Sequence, residues 1–502
     1  MNTPRALALA SFTVVSLSSS LAAAATLSVG PGKTYAAPCA AFAAAADGDT
    51  IEIDAAGHYD GDVCAIHPNN LTIKGVGGRA KIDAAGKNYG GKAIWVVAGN
   101  DTTIEDVELS GCSVPDKNGA GIRQEGRNLT LRRMYFHDDE DGILTNGDST
   151  STILIEDSEF ANNGAGDGYS HNMYIGAIKS FTLQHSYSHD VKVGHLVKTR
   201  ALENHILYNR ITEEHGTGSY EIDVPQGGNT WIIGNVVEQN STSENPTIIA
   251  FAEEGLKNPG SALFVVNNTI VNNLGKGTFV NAAVTTPAIL RNNLFTGVGT
   301  ACSQASAALE GNYTGDPLYV DAAAYDFHLK DGSPALDKGV APGSGDGVSL
   351  VAGCQYVHVA HAVVRKDDGT LDIGAFERGG ETTTPCGGGT APPPGDAGTT
   401  TDTGTTTDSG STTPDSGSAG ADSGFASGDS GTVTADSGSS TIDGAPLDDD
   451  GGATPPADPG SSGGCSTSRS KDAGDSTTLV LVAAAVAVAL NRRRAHADRA
   501  SS

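Results

Sequence analysis

Six of the chain's 13 histidines fall between residues 171 and 215: His171, His185, His189, His195, His205 and His215. Histidine has the side-chain pKa closest to neutrality, so such a concentration suits proton transfer. Interleaved with it are Tyr174, Lys198 and Arg200, and then the carboxylates Asp190, Glu221 and Asp223. A base, an acid and a cation in one groove could remove the proton beside a sugar carboxylate, protonate the leaving oxygen and neutralise the charge that develops. That is β-elimination on a uronic-acid polymer, with Lys198 as base, Tyr174 or His171 as acid, and Arg200 or Arg123 neutralising. His195 and His171 offer bases nearer neutrality than an unperturbed lysine. Glu221 and Asp223, with Asp190, make a carboxylate set suited instead to glycoside hydrolysis. The alternative without chemistry has Lys198 and Asp223 as a charge-compensated surface pair, and His171 stacked inward on His195. No compact His/Cys spacing points to zinc. Asp138, Asp139 and Asp141, beside His137, offer hard oxygen ligands for calcium, with Asp167 as a weaker candidate, although acidic turns are commonly just solvated. Trp95 and Trp231 lie in apolar stretches and read as core rather than as sugar platforms.

A repeat must position these groups. An apolar residue, a marker and a second apolar residue recur as Ile104/Val107/Leu109, Leu131/Met134/Phe136, Ile155/Ser158/Phe160, Leu183/Ser186/Ser188, Ile206/Asn209/Ile211, Ile232/Asn235/Val237, Val265/Asn268/Ile270 and Leu290/Asn293/Phe295. Markers are 23 to 33 residues apart, and Asn in the later turns suits an amide stacking on its own copy. A further short strand precedes each marker, as in Asn172-Met-Tyr-Ile175 and Leu196-Val-Lys-Thr199. Two or three short strands per repeat, with no helical periodicity, describe an all-β parallel β-helix solenoid. Stacking turns about 4.8 Å apart converts aligned positions into rows. With Ile122, Ile143, Met173, Val197 and Ile222 inward, alternation sets Arg123, Leu144, Tyr174, Lys198 and Asp223 outward in one row, with Asn172, Leu196 and Glu221 in the row beside it. A one-residue slip would exchange the two faces.

The chain has 502 residues, 31 Lys plus Arg, 59 Asp plus Glu and a formal net charge of -28. Such acidity argues against nucleic acid or an anionic membrane surface as partner. Residues 1–25 read as a secretory signal peptide: Arg5, an apolar stretch and Ala22 to Ala25 as cleavage site. Export permits disulfides, and Cys39 with Cys64 is the expected pair, whereas Cys112 reads equally as a disulfide staple or as a small buried apolar residue. Residues 26–378 form the solenoid. Residues 379–475 are a Thr/Ser/Gly/Asp/Pro-rich stalk, with Asp-Ser-Gly at 408, 415, 422, 429 and 436 and no basic residue between Glu381 and Ser468. In residues 476–502 a 12-residue apolar run, Leu479 to Leu490, meets Arg492 to Arg494. Twelve helical residues reach about 18 Å, short of a bilayer core, so the run reads as a short hydrophobic sorting or anchor helix.

Several segments carry family resemblances. Val29-Gly-Pro-Gly-Lys-Thr-Tyr35, Ala45 to Ile51 and Leu71 to Gly75 resemble the first turns of pectate-lyase-like right-handed β-helix proteins. Phe327 to Asp337 with Asp372 to Glu377 is similar to the closing segment of surface proteins with a choice-of-anchor Q module. Gly464-Cys465, the apolar run and the Arg cluster resemble myxobacterial C-terminal sorting tails. The fold so implied hosts lyases, hydrolases, epimerases and adhesins alike. The Tyr174/Lys198 layout resembles the alginate-lyase and chondroitinase-B family, where a lysine works with an arginine on the next turn and calcium is often bound. Here the next turn presents Asp223 instead, and an adjacent carboxylate favours an ammonium, the wrong direction for a base. The His137-Asp138-Asp139 run resembles the acidic motif of mannuronan epimerases. The expectation is a monomeric, exported, cell-surface protein acting on polysaccharide, foremost a lyase. Glycoside hydrolase, epimerase or non-catalytic carbohydrate binding are the alternatives.

Overall fold

The computed structural model describes residues 23–366, 369–379 and 382–388. Nearly all of the residues expected to form a signal peptide (1–25) and a stalk (379–475), and the whole apolar run Leu479 to Leu490, lie outside these residues. Within them the chain coils so that each turn adds one short strand to each of three parallel sheets. The first sheet has twelve strands, from Thr26–Val29 to Ala308–Glu310. The second has ten, from Cys64–Ile66 to Thr300–Cys302, and the third ten, from Ala80–Asp83 to Tyr313–Thr314. This is a parallel β-solenoid.

Alternation explains why these residues form strands. In Thr102–Glu105 every second side chain is buried, as a strand with one face on a core requires. Ile104, Leu131, Ile155, Leu183, Ile206, Ile232, Val265 and Leu290 pair in register down the first sheet and form a fully buried column. Each such side chain contributes about 1.5–3 kcal/mol through burial.

Between the first and third sheets the coil turns through one residue of left-handed backbone placed just before the marker: Asp106, Arg133, Asp157, His185, Tyr208, Gly234, Asn267 and Asn292. The equivalent turns carry this φ on ordinary side chains; at Gly234, with φ +69°, a Cβ would stand 2.6 Å from the Tyr208 ring, so it is the close approach of that ring that favours glycine. The markers then form a ladder. Asn209 Nδ2 donates to Asn235 Oδ1, Asn235 to Asn268, Asn268 to Asn293 and Asn293 to Asn312, at 2.9–3.0 Å. Ser158 and Ser186 occupy the same place in earlier turns, their Oγ atoms accepting from the backbone N–H of Met134 and Ser158. Buried turn groups are thereby satisfied from turn to turn.

The helix Pro38–Ala44 packs at the first turns, where the expected Cys39–Cys64 disulfide forms. Phe42 meets Trp95 edge-on at 5.1 Å. Trp95 is fully buried. Cys112 is buried and has no disulfide partner among the described residues. Residues 319–386 run back along the outside instead of continuing the coil. Phe327, Leu329 and Phe376 pack on Val236, Val271 and Leu294 of the third sheet. Trp231, on the outer face of the first sheet, donates from Nε1 to the Gly345 carbonyl at 3.3 Å. The buried Arg365–Glu377 pair and the Cys354–Cys386 disulfide tie this segment together.

Candidate functional site

The second sheet carries the residues singled out in the sequence. Its pairings set Val96, Arg123, Leu144, Tyr174, Lys198, Asp223, Ala250 and Asn281 in one row. The row beside it differs from expectation. Asn172, Leu196 and Glu221 were expected outward, yet all three side chains are fully buried. Strict alternation fails where the chain rounds the corner into each second-sheet strand, and two consecutive residues turn inward there. Asn172 fills that corner by donating to Ser188 Oγ and the His189 carbonyl at 3.1 and 2.9 Å. Leu196 joins the core. Glu221 lies beside Gln239 Nε2 at 3.4 Å, and burial, followed by the nearby Glu213 charge, pushes its carboxyl well above the usual range.

The same irregularity brings His171 and His195 to the outer side, against Tyr174 and Asp223, not into an inward stack. Their rings are 4.6 Å apart, and His171 meets Tyr174 edge-on at 5.6 Å. His171 Nδ1 accepts the His195 backbone N–H at 3.0 Å. This fixes the neutral tautomer with its proton on Nε2. Its own backbone N–H donates to Asp141 Oδ1 at 2.7 Å. Burial, reinforced by His195, Lys198 and Arg200, holds the His171 pKa well below the usual value, so the ring is neutral at pH 7.

His195 Nδ1 lies 3.0 Å from Asp223 Oδ2, off the axis of a well-aligned hydrogen bond. Burial lowers the His195 pKa, with Asp223 opposing. Asp223 is itself buried, which alone would raise its carboxyl, but His195 and then Lys198 outweigh this and hold it below the ordinary range. Lys198 Nζ stands 3.4 Å from the same Oδ2 and 5.6 Å from the Tyr174 ring centroid. Arg200 lies over the other part of this cluster. Its Nε donates to Tyr174 Oη at 2.9 Å, and both terminal nitrogens grip Glu254, Nη2 to Oε1 at 2.8 Å. Tyr220, the next residue in the histidine row, packs edge-on to His195 at 4.9 Å and donates to Glu253 at 3.0 Å.

The sheet thus assembles His171, His195, Tyr174, Lys198, Arg200 and Asp223 on its outer side, His171, His195 and Asp223 being buried there, with Arg123 two turns from Tyr174 in the same row. It does not assemble the carboxylate pair of a glycoside hydrolase. Glu221 is inside the coil, and Asp190 closes a turn by accepting from the N–H groups of Glu214, His215 and Gly216 at 2.6–2.9 Å. The proposed calcium ligands also part company. Asp138 is at the surface beside His137 and Lys192. Asp139 is buried and accepts from the Cys112 N–H at 2.7 Å. Asp141 is buried behind His171. Burial is the main cause that raises both inner carboxyls. Three carboxylates turned to three environments do not fit a calcium ion. Asp167 pairs with Lys117 at 3.7 Å.

Sequence reasoning missed Glu253 and Glu254, which sit in a loop outside the repeat, and Tyr220, which only the corner irregularity turns outward. The other clustered histidines serve elsewhere: His185 faces Asp157 and Tyr208, His205 stacks on Trp231, and His189 is clamped between Glu159 and Asp190. A cavity of about 640 Å³ lies away from this face, between the third sheet and residues 324–386. A second, of about 500 Å³, lies near His58 and His137.

No family model matches the chain, and no curated protein matches it. Among solved structures, the chain is similar to pectate lyase Pel9A, at 15% identity and a TM-score of 0.44, over 67% of this chain and 90% of that one. It is also similar to an alginate lyase from Paenibacillus sp. str. FPU-7, at 15% identity and a TM-score of 0.35, over 58% of this chain and 99% of that one.

Proposed function

We propose that the outer face of the second sheet is the substrate groove of a lyase that cleaves a uronic-acid-containing polysaccharide by β-elimination. The observation that carries this reading is the convergence of His195, Asp223, Lys198, Tyr174 and Arg200 on three adjoining turns along the outer side of the second sheet. In this reading the base is His195 rather than Lys198. Asp223 orients its Nδ1 side and leaves Nε2 to take the proton from the carbon beside the sugar carboxylate. Lys198, paired with Asp223, and Arg200 supply the positive charge that stabilises the resulting anion, so neutralisation is assigned to side chains and not to calcium. Tyr174 Oη accepts from Arg200, which leaves its own proton free for the leaving oxygen. One C–H and one C–O bond break, a C=C bond forms, and solvent resets His195 and Tyr174. His171, with its proton fixed on Nε2, is a donor that positions a sugar oxygen.

The reading includes export and a cell-surface location, supported by the leader-like residues 1–25, the stalk composition and two disulfides of the kind oxidising compartments sustain. The test is ultraviolet absorbance of the purified chain with alginate, pectate and glycosaminoglycans. A rise with one polymer, abolished in His195→Gln, is expected. Silence with every polymer while the protein is folded and retains polymer binding would replace catalysis by carbohydrate binding.

A further inference from the structure

Arg200 is the cation best shaped to hold a planar carboxylate, yet its fork is already occupied. Its stem is fixed by Tyr174, which accepts from Nε at 2.9 Å and lies under the guanidinium at 5.5 Å. The two terminal nitrogens therefore point at one place, and the Glu254 carboxylate fills it in a two-point grip. Bidentate carboxylate recognition is the property that distinguishes arginine from lysine. The two partners are unequally buried: the Arg200 side chain is 15% exposed and that of Glu254 39%.

Glu254 also comes from a loop whose backbone is pinned without it. Asn258 Nδ2 donates to the carbonyls of Arg200, Ala201 and Gly227 at 2.8–3.2 Å, and the Glu254 and Lys257 N–H groups bond to Pro225 and Gln226. Rotation of the Glu254 side chain alone would empty the fork and leave the loop in place. Lys257 Nζ, 3.9 Å from Glu254 Oε2, offers the displaced carboxylate a second partner.

We propose that Glu254 is an internal stand-in for the substrate's carboxylate, occupying a subsite formed by Arg200 that a uronate carboxylate takes over on binding. The inference rests on the functional reading above for the identity of the ligand, and names its subsite and its built-in competitor. A neutral or methyl-esterified sugar offers nothing to replace the lost ion pair, so Glu254 also acts as a selectivity filter for free carboxylates.

The experiment is equilibrium binding of the full chain and its Glu254→Gln and Glu254→Ala variants to polygalacturonate, alginate and hyaluronan, with dextran and methyl-esterified pectin as neutral probes. Melting temperatures establish that each variant is folded. Removing a partly exposed competing ion pair is expected to tighten binding of one acidic polymer about two- to fivefold. The neutral probes should be unaffected, and the gain should vanish when Arg200→Ala is added. Unchanged or weaker binding of every acidic polymer by both variants overturns the proposal. Because binding is read apart from turnover, tighter binding without an unsaturated product keeps the subsite and removes the lyase, whereas turnover without tighter binding does the reverse.

Discussion

Asp223→Asn tests the catalytic reading at its most loaded contact. The carboxylate is 4% exposed and touches two cationic or proton-bearing groups, His195 Nδ1 at 3.0 Å and Lys198 Nζ at 3.4 Å. An amide of the same shape keeps the packing and removes the charge. Breaking a buried ion pair from one side costs about 3–5 kcal/mol. Lys198 here is 14% exposed and can turn toward water, so a loss of about 1–3 kcal/mol is the appropriate expectation. The pH dependence carries a sign. Asp223 has a folded pKa below its unfolded value, so its contribution is complete above about pH 4 and is lost as pH falls through the folded value. The variant should therefore melt lower than the parent at pH 7, with the gap closing toward pH 3. Turnover should fall by about 10²–10⁴, the usual worth of a positioned base. Thermal melting against pH and the initial rate of ultraviolet absorbance on the cleaved polymer measure the two effects separately. A variant with the parent's rate would refute the His195–Asp223 assignment, and one with the parent's melting profile would refute the ion-pair argument.

Three further outcomes are expected. Asn235→Ala removes the acceptor for Asn209 N and Nδ2 and two donations, to the Ile206 carbonyl and Asn268. Each buried group left unpaired costs about 1–3 kcal/mol, so urea unfolding should shift by several kcal/mol; a shift below one would show the ladder to be dispensable. Reducing or replacing Cys39–Cys64, which spans a sequence separation of 25, should cost about 3 kcal/mol, read as a lower melting temperature that a Cys39→Ser variant reproduces. His189 is raised to about 9 by Asp190 and Glu159 against the opposing effect of its burial. A raised pKa means stability that is complete below the unfolded value near 6.5 and lost as pH rises through about 9. His189→Gln should abolish that alkaline slope in melting curves, and a variant with the parent's slope would refute it.

The solenoid was legible because its cause is periodic. An apolar column such as Ile104 to Leu290 and a marker such as Asn235 repeat whenever the coil returns to the same corner, and no alternative fold reuses those spacings. The row Arg123, Leu144, Tyr174, Lys198 and Asp223 followed from the same logic. The neighbouring row did not, because Asn172, Leu196 and Glu221 sit where a corner replaces strand geometry, and alternation holds only inside a strand. Asp138, Asp139 and Asp141 looked like one ligand set because they are adjacent in sequence. A left-handed residue at Asp138 (φ 55°) and the start of a strand at Asp141 send them different ways. Glu254 was illegible for the opposite reason: a loop outside the repeat carries no positional information until the backbone is folded.

The route of residues 319–388 has a mechanical consequence. A coil whose chain ran out from its final turn would respond to a pull by peeling, one turn after another, each giving way in sequence. Here the chain leaves the final turn, doubles back along the flank, and reaches the Cys354–Cys386 disulfide, where Gly387 lies beside His185. Force entering from the C-terminal side of Cys386 is received first by that covalent link and by the Cys354–Val357/His361–Val364 hairpin. It then spreads through the Arg365–Glu377 pair and the Ala375 N–H bond to Thr269 Oγ1 into the third sheet two strands before its end, and through Tyr356 against Tyr187 into the middle of that sheet. The returning segment is tied to turns from Tyr187 to Asn292, so the load is shared in shear across several turns at once instead of falling on the final turn alone.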